Sequence, residues 1–354
     1  MLVLHSARRI PAVATLLLLA LGGCSKENGP SEFNPGGATA DLTAAQTAFQ
    51  SPAVTSYGAV GSDISLALGG SAAVVSSPAL TLSGTSGRER YARAVTRMLP
   101  SSSGIQASVA AVPASVLGKT YVWDSTNDVY VQSDLSGAPS NGVRFLLYAV
   151  DPITFRPVEP LDQVGYVDII DESGSSTVAV RVIVVSNSTT YLDYSVHASE
   201  TGSSGSVTVT GYASDGTIRA NFNLENTVTQ TTNGMTLVLD YGLDVPTRNL
   251  QLDWTATLSD TGAAQVQVAV DLTIEGENGR INMQGTADGS GGSFTVRVNG
   301  ALFATITLSF GSDPVITGAN GQALTPEEEE TLRTILGYYD DSFGVFGDLL
   351  APLG

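Results

Sequence analysis

The sequence predicts a mainly β protein: a large curved antiparallel meander sheet, a half-barrel or a barrel, packed on a few helices (α+β). Three observations carry that expectation. From about Thr120 apolar residues recur at every second position and keep doing so to about Phe310;. Turn dipeptides separate the runs, among them Asp215-Gly216, Asn233-Gly234, Asn278-Gly279 and Asn299-Gly300;. Helix-like spacing occurs only before this region and after it;.

Taken in order, the chain opens with Arg8 and Arg9 and an apolar stretch, Ala12 to Leu21, that is too short to span a bilayer as a helix;. Gly22 and Gly23 then lead into Cys24, the only cysteine of the chain. This Leu-Gly-Gly-Cys resembles the lipobox of bacterial lipoproteins, which the type II signal peptidase cuts. The resemblance covers only the first two dozen residues. It implies that 1–23 is a signal peptide and that Cys24 becomes the first residue of the mature protein. Cys24 would then carry a thioether-linked diacylglycerol and an N-acyl chain, and a protein held by two or more acyl chains is anchored stably. Ser25 rather than Asp follows the cysteine, which in the enterobacterial pattern resembles an outer-membrane address. The chain is thus expected in the bacterial cell envelope, at the outer membrane, on its periplasmic or surface face.

Residues 24–40, rich in Gly, Pro and Ser, read as the lipidated cysteine and a flexible tether;. The segment 41–118 reads as helical and irregular. Asp41 is placed to N-cap a short helix through Gln50, stopped by Pro52;. Residues 53–86 carry no clear pattern. Arg88 to Leu99 reads as a helix with Tyr91, Val95, Met98 and Leu99 on one side; its Arg88, Arg90, Arg93 and Arg97 are expected to dock on the acidic remainder of the chain;.

The meander is expected over 119–317. Val178, Val180, Val182 and Val184 form one inward row, and Leu192, Tyr194, Val196 and Ala198 the next. Later runs such as Leu250/Leu252/Trp254/Ala256/Leu258 and Val266/Val268/Val270/Leu272/Ile274 repeat the pattern;. A shift of 74 residues lays Val178–Leu224 on Leu252–Val298, a match that any regular meander would give. The segment 318–354 reads as a C-terminal helix and an apolar tail packing on the sheet. Thr325-Pro326-Glu327-Glu328 supplies its N-cap, its N1 proline and a capping-box Glu, and Leu332, Ile335, Leu336 and Tyr339 its buried side;.

About thirteen strands would make a flat sheet roughly 60 Å wide, and twisted sheets of that size curl or split. Closed with strands tilted about 40°, they would enclose a gap about 15 Å across once side chains are counted, wider than a helix of about 10–12 Å. Something apolar must therefore lie against the wall: the chain's own helices or a ligand. In outline this resembles the half-barrels of periplasmic lipoprotein carriers and of mycobacterial lipid-carrying lipoproteins, a likeness of architecture that transfers no residues. If a hydrophobic ligand is held, Tyr194, Phe222, Leu239 and Trp254 on the concave face are the candidates. A membrane-spanning barrel with its apolar face outward is disfavoured by short loops and by the lack of aromatic girdles.

Charge and residue types exclude several chemistries. Loss of 1–23 removes two arginines and no acid, leaving 14 Lys and Arg against 34 Asp and Glu, a net charge of −20. Nucleic acid and anionic headgroups are not expected partners of such a surface. With no second cysteine and with His197 the only histidine after the signal, no cofactor, thiolate nucleophile or metal centre is expected;. Gly118-Lys119-Thr120 lacks the upstream glycine of a P-loop, Pro113 standing in its place;. Asp124 to Asp128 lacks the glycine and the closing Glu of a calcium loop, and reads as a hairpin turn;. His197 shares a strand face with Asp193, Ser195 and Ser199, but the nucleophile-elbow pentapeptide is absent, so it reads as a solvated surface histidine;. The expectation is a non-enzymatic, lipid-anchored envelope protein whose concave sheet holds a lipid or other hydrophobic molecule. The alternative is a structural module that binds another envelope protein, of unknown identity, through its sheet.

Overall fold

The computed structural model describes residues 33–69, 111–174, 177–231, 234–260, 266–288, 290–309 and 312–350. The signal, Cys24, and the expected Arg88–Leu99 helix lie outside the described residues.

Fifteen strands form one curved, open sheet. They are β1 (Lys119–Asp124), β2 (Val129–Ser133), β3 (Gly142–Tyr148), β4 (Gln163–Asp171), β5 (Val178–Ser186), β6 (Thr189–Thr201), β7 (Ser204–Ser214) and β8 (Arg219–Thr231). Then come β9 (Gly234–Val245), β10 (Leu250–Asp260), β11 (Val266–Gly276), β12 (Gly279–Asp288), β13 (Gly291–Val298), β14 (Ala301–Ser309) and β15 (Val315–Gly318). From β3 to β15 each strand lies antiparallel beside its sequence neighbour. The exception lies at one edge, where β1 pairs parallel with β3 and carries β2 outside it. The sheet is therefore mixed, a correction to a purely antiparallel meander. It also runs past Phe310, because β15 adds to β14.

The turns follow their residues. Asn299 and Gly300 both have positive φ (49° and 84°) between the paired Val298 and Ala301, as a two-residue type I′ turn requires;. Asn187 and Ser188 do the same (48° and 65°) without a glycine to announce them. Asp215 instead builds a four-residue turn, its carboxylate accepting from the amides of Thr217 and Ile218 (2.7 Å each);. At the β11–β12 hairpin the turn is Glu277-Asn278, one residue earlier than Asn278-Gly279 suggests, because Gly276 pairs with Gly279.

Helices line the concave side. Helix α1 (Pro35–Thr47) is capped by Asn34, whose side-chain oxygen accepts from the Gly37 amide at 3.0 Å;. It begins inside the segment read as tether, and Asp41 is a buried mid-helix residue, not its cap. Asp41 accepts from Asn278 (2.6 Å), which in turn accepts from Asn34 (2.8 Å), so α1 is pinned to the β11–β12 turn. Helix α2 (Pro52–Ala59) packs over β3 to β6, and α3 (Gly61–Ala67) beside β2, both within the stretch that showed no pattern. Helix α4 (Pro326–Leu350) starts with the expected capping box. Thr325 N–H donates to Glu328 Oε2 (2.7 Å) and the Glu328 amide to Thr325 Oγ1 (3.2 Å);. Leu332, Ile335 and Tyr338 are buried on it, and it absorbs residues read as a tail.

Candidate functional site

The four residues proposed from the sequence all sit on the concave apolar face, buried, on three neighbouring cross-strand rows. Tyr194 pairs with Gly211, Gly211 with Phe222, Phe222 with Leu243 and Leu243 with Leu252. One row further along the strands, Leu224, Tyr241, Trp254 and Leu272 align, and in the row beyond, Asn226, Leu239, Ala256 and Val270. The structure thus brings the four to one wall.

Glycine makes the aromatic row. A Cβ at Gly211 would stand 2.3 Å from the Asp193 carbonyl oxygen and 2.4 Å from Tyr194 Cβ. Its absence leaves the Tyr194 ring room to lie toward Phe222, with centroids 6.4 Å apart;.

What lies over that row is the chain itself. The Tyr57 hydroxyl of α2 is 2.6 Å from the Tyr194 hydroxyl, and both reach the Leu349 carbonyl oxygen near the end of α4. Phe49, just after α1, lies tilted against Phe222 with ring centroids 5.7 Å apart. Burial, with the neighbouring Tyr57 second, raises the Tyr194 phenol well above its ordinary value, so it stays neutral and donates;. At this row the helices, not an open groove, meet the aromatic residues.

Among the described residues a few buried side-chain atoms lack a hydrogen-bond partner, Ser56 Oγ, Thr120 Oγ1 and Asn226 Oδ1 among them, and the last is on a strand of the concave face. Asn226 follows Leu224 on the inward-facing positions of β8 and precedes Val228, and its Oδ1 is buried without a hydrogen-bond partner;. The break it makes in an otherwise apolar period was visible in the sequence. Tyr57, Phe49 and Leu349 were not singled out, because Tyr57 lies in the stretch without a clear pattern, Phe49 at the end of the segment read as a short helix, and Leu349 in an apparent tail.

The convex face is polar, and some of its charges are paired across strands. Arg144 forms two 2.7 Å bonds to Asp168 and lies 3.7 Å over the Tyr166 ring; Arg181 forms two 2.8 Å bonds to Asp193;. Those carboxylate bonds, ahead of the opposing effect of burial, raise both guanidinium values. His197 is exposed there. Asp193 is taken by Arg181, and Ser199 hydrogen-bonds Ser206 at 3.0 Å, so neither is free to orient the imidazole. A shallow cleft of about 320 Å³ on this face lies over Gly242, between Asn221, Asn223, Asp244, Gln251 and Asp253. Among the described residues no group of three or more His, Cys, Asp or Glu is placed to share a metal ion. Among them, too, no helix is long and apolar enough to cross a membrane.

No protein-family model, curated protein or solved structure matches the chain.

Proposed function

We propose that the chain is a non-enzymatic protein of the bacterial cell envelope, lipid-anchored at Cys24, whose curved sheet serves as an interaction scaffold. The observation that carries this reading is the closure of the aromatic row by Tyr57, Phe49 and Leu349. A carrier needs an accessible apolar wall, and here the Tyr194–Phe222 row of the wall is covered by Tyr57, Phe49 and Leu349 of the chain itself;. The surfaces left for binding are the polar convex face, the two sheet edges at β2 and β15, and the rims. The partner is then another envelope component.

A hydrophobic ligand held near Leu239 and Trp254 is the second reading. It is favoured by Asn226 Oδ1, which a ligand hydroxyl or amide would satisfy;.

Native mass spectrometry and crosslinking in intact cells separate the two. The scaffold reading expects the acylated polypeptide mass with no further bound lipid, together with a stoichiometric crosslinked protein. A co-purified lipid that disappears in Asn226→Leu would overturn it in favour of the carrier. For the anchor, Cys24→Ser should move the protein from the membrane fraction to the soluble fraction; unchanged fractionation would remove that part.

A further inference from the structure

In an antiparallel meander, alternate connections lie at the same end of the strands. The turns at 187–188, 215–218, 246–249, 277–278 and 299–300 therefore share one rim, and the long β3–β4 connection 149–162 lies on it too. So does the β1–β2 turn, since β1 runs parallel to β3. The chain also enters the described fold here, because Asn34 bonds Asn278 in one of these turns.

This rim is where apolar side chains face outward. Among the described residues nine large apolar side chains are strongly exposed, and six belong to this rim: Leu66, Val129, Ile153, Phe155, Val158 and Leu302. Ile153 is 84% exposed and Phe155 56%, both near the tip of the 149–162 loop. Leu66 joins them through α3, where Asp63, one turn earlier on the same side, pairs with Arg156 of the loop at 2.9 Å;.

The loop is built to hold that tip out. Asp151 Oδ1 accepts from the amides of Ile153 (2.9 Å) and Thr154 (2.8 Å) and from the Thr154 hydroxyl (3.1 Å);. The Asp151 amide closes on the Arg156 carbonyl at 2.9 Å, and Val150 bridges Pro157. Arg156, held by Asp63, also lies 5.7 Å over Trp123. Asp151 is thus spent inside the loop and Arg156 on Asp63 and Trp123, while Ile153 and Phe155 at the tip stay exposed beside Thr154.

We infer that this rim rests on the membrane to which Cys24 is anchored, with Ile153 and Phe155 entering the headgroup region of the bilayer. The inference rests on the anchor part of the proposed function and adds an orientation to it. Eight residues lie between Cys24 and Phe33, so the nine steps of the covalent path allow at most about 30 Å between the bilayer and this rim;. A bilayer so close makes contact by a short apolar tip an intramolecular event, which needs little intrinsic affinity. The net charge of −20 opposes attraction to anionic lipid, so the contact is apolar and suits zwitterionic headgroups;.

The test uses the full acylated protein, extracted in mild detergent and reconstituted into phosphatidylcholine vesicles. Cys24 is the only cysteine and on the anchor reading its sulfur is blocked as the diacylglyceryl thioether, so Ile153→Cys offers a single labelling site for a polarity-sensitive fluorophore. Ser203→Cys, in the exposed β6–β7 turn on the opposite rim, is the control. With brominated-chain phosphatidylcholine, the label at 153 should lose most of its intensity and the label at 203 almost none. Vesicle flotation is scored in the same samples. Protein that floats with both labels unquenched overturns the orientation and leaves the anchor standing. Protein that does not float overturns the anchor and the orientation together. A photocrosslinker placed at 153 instead of the fluorophore that captures a protein in intact cells, with no quenching by lipid in vesicles, also overturns the orientation.

Discussion

The Tyr57 and Tyr194 hydroxyls meet at 2.6 Å under the end of α4, and both lie within reach of one acceptor, the Leu349 carbonyl. Two protons serve three contacts. Tyr194 makes the closer approach to Leu349, so its proton goes there and Tyr57 donates to the Tyr194 oxygen. The pair joins a helix, a central strand and the C-terminal helix across 137 residues of sequence on one side and 155 on the other.

Tyr194→Phe removes the acceptor of Tyr57 and the donor to Leu349, whereas Tyr57→Phe removes one donor. In urea denaturation of the acylated protein in detergent, Tyr194→Phe should cost about 2–3 kcal/mol and Tyr57→Phe about 1 kcal/mol. The double variant should cost less than the two together, since the residues share a bond. Strict additivity would show that the hydroxyls are independent.

Alkali should loosen the same contact. The folded-state pKa of Tyr194 is raised, so its contribution is fully present below the unfolded value near 10 and declines as pH climbs beyond it;. Stability measured from pH 9 to 11 should fall above pH 10 by about 1.4 kcal/mol per pH unit for this group, a slope missing in Tyr194→Phe. A wild-type curve no steeper than that of Tyr194→Phe would contradict the burial of the phenol.

Two glycines should respond with opposite signs. At Gly211 a methyl group meets backbone and the Tyr194 Cβ, so Gly211→Ala should destabilise by about 1–3 kcal/mol;. At exposed Gly337, inside α4, a methyl group meets nothing within 4 Å, so Gly337→Ala should stabilise by about 0.5–1 kcal/mol;. Thermal melts of the two variants check both signs.

Asp41 anchors α1 through Asn278, with Arg248 3.8 Å away. Asp41→Ala leaves the Asn278 amide without this acceptor and should cost about 1–3 kcal/mol. Hydrogen exchange should speed up first in 35–47. Uniform acceleration over the whole sheet would mean that α1 does not open locally.

The strands were legible because a half-buried strand must alternate, and β5 through β14 do so with little interruption;. Val178, Val180, Val182 and Val184 are all buried, as their spacing requires, though Ala179 between them is buried too. The capping box of α4 was legible because both partners lie within four residues of each other. The start of α1 was missed. Asn34-Pro35 is a valid cap and N1, but Gly36 and Gly37 argue locally against a helix, and α1 is sustained by docking on Asn278 and α4;. The parallel β1–β3 pair was equally hidden. Its Lys119, Thr120 and Tyr121 would alternate in the same way beside either neighbour, and only pairing over two dozen residues tells them apart.

By itself the sequence determined which side of each strand is apolar, where most hairpins turn, the acidic surface and the placing of Tyr194, Phe222, Leu239 and Trp254 on one wall. Periodicity and turn chemistry are local, written within ten residues or so. Only the tertiary structure decided that the sheet stays open, that Tyr57 and Leu349 cover its aromatic row, and that Ile153 and Phe155 share a rim with the entering chain. Those outcomes depend on which distant segments fill a concavity too wide for the wall's own side chains, and no local pattern encodes that choice.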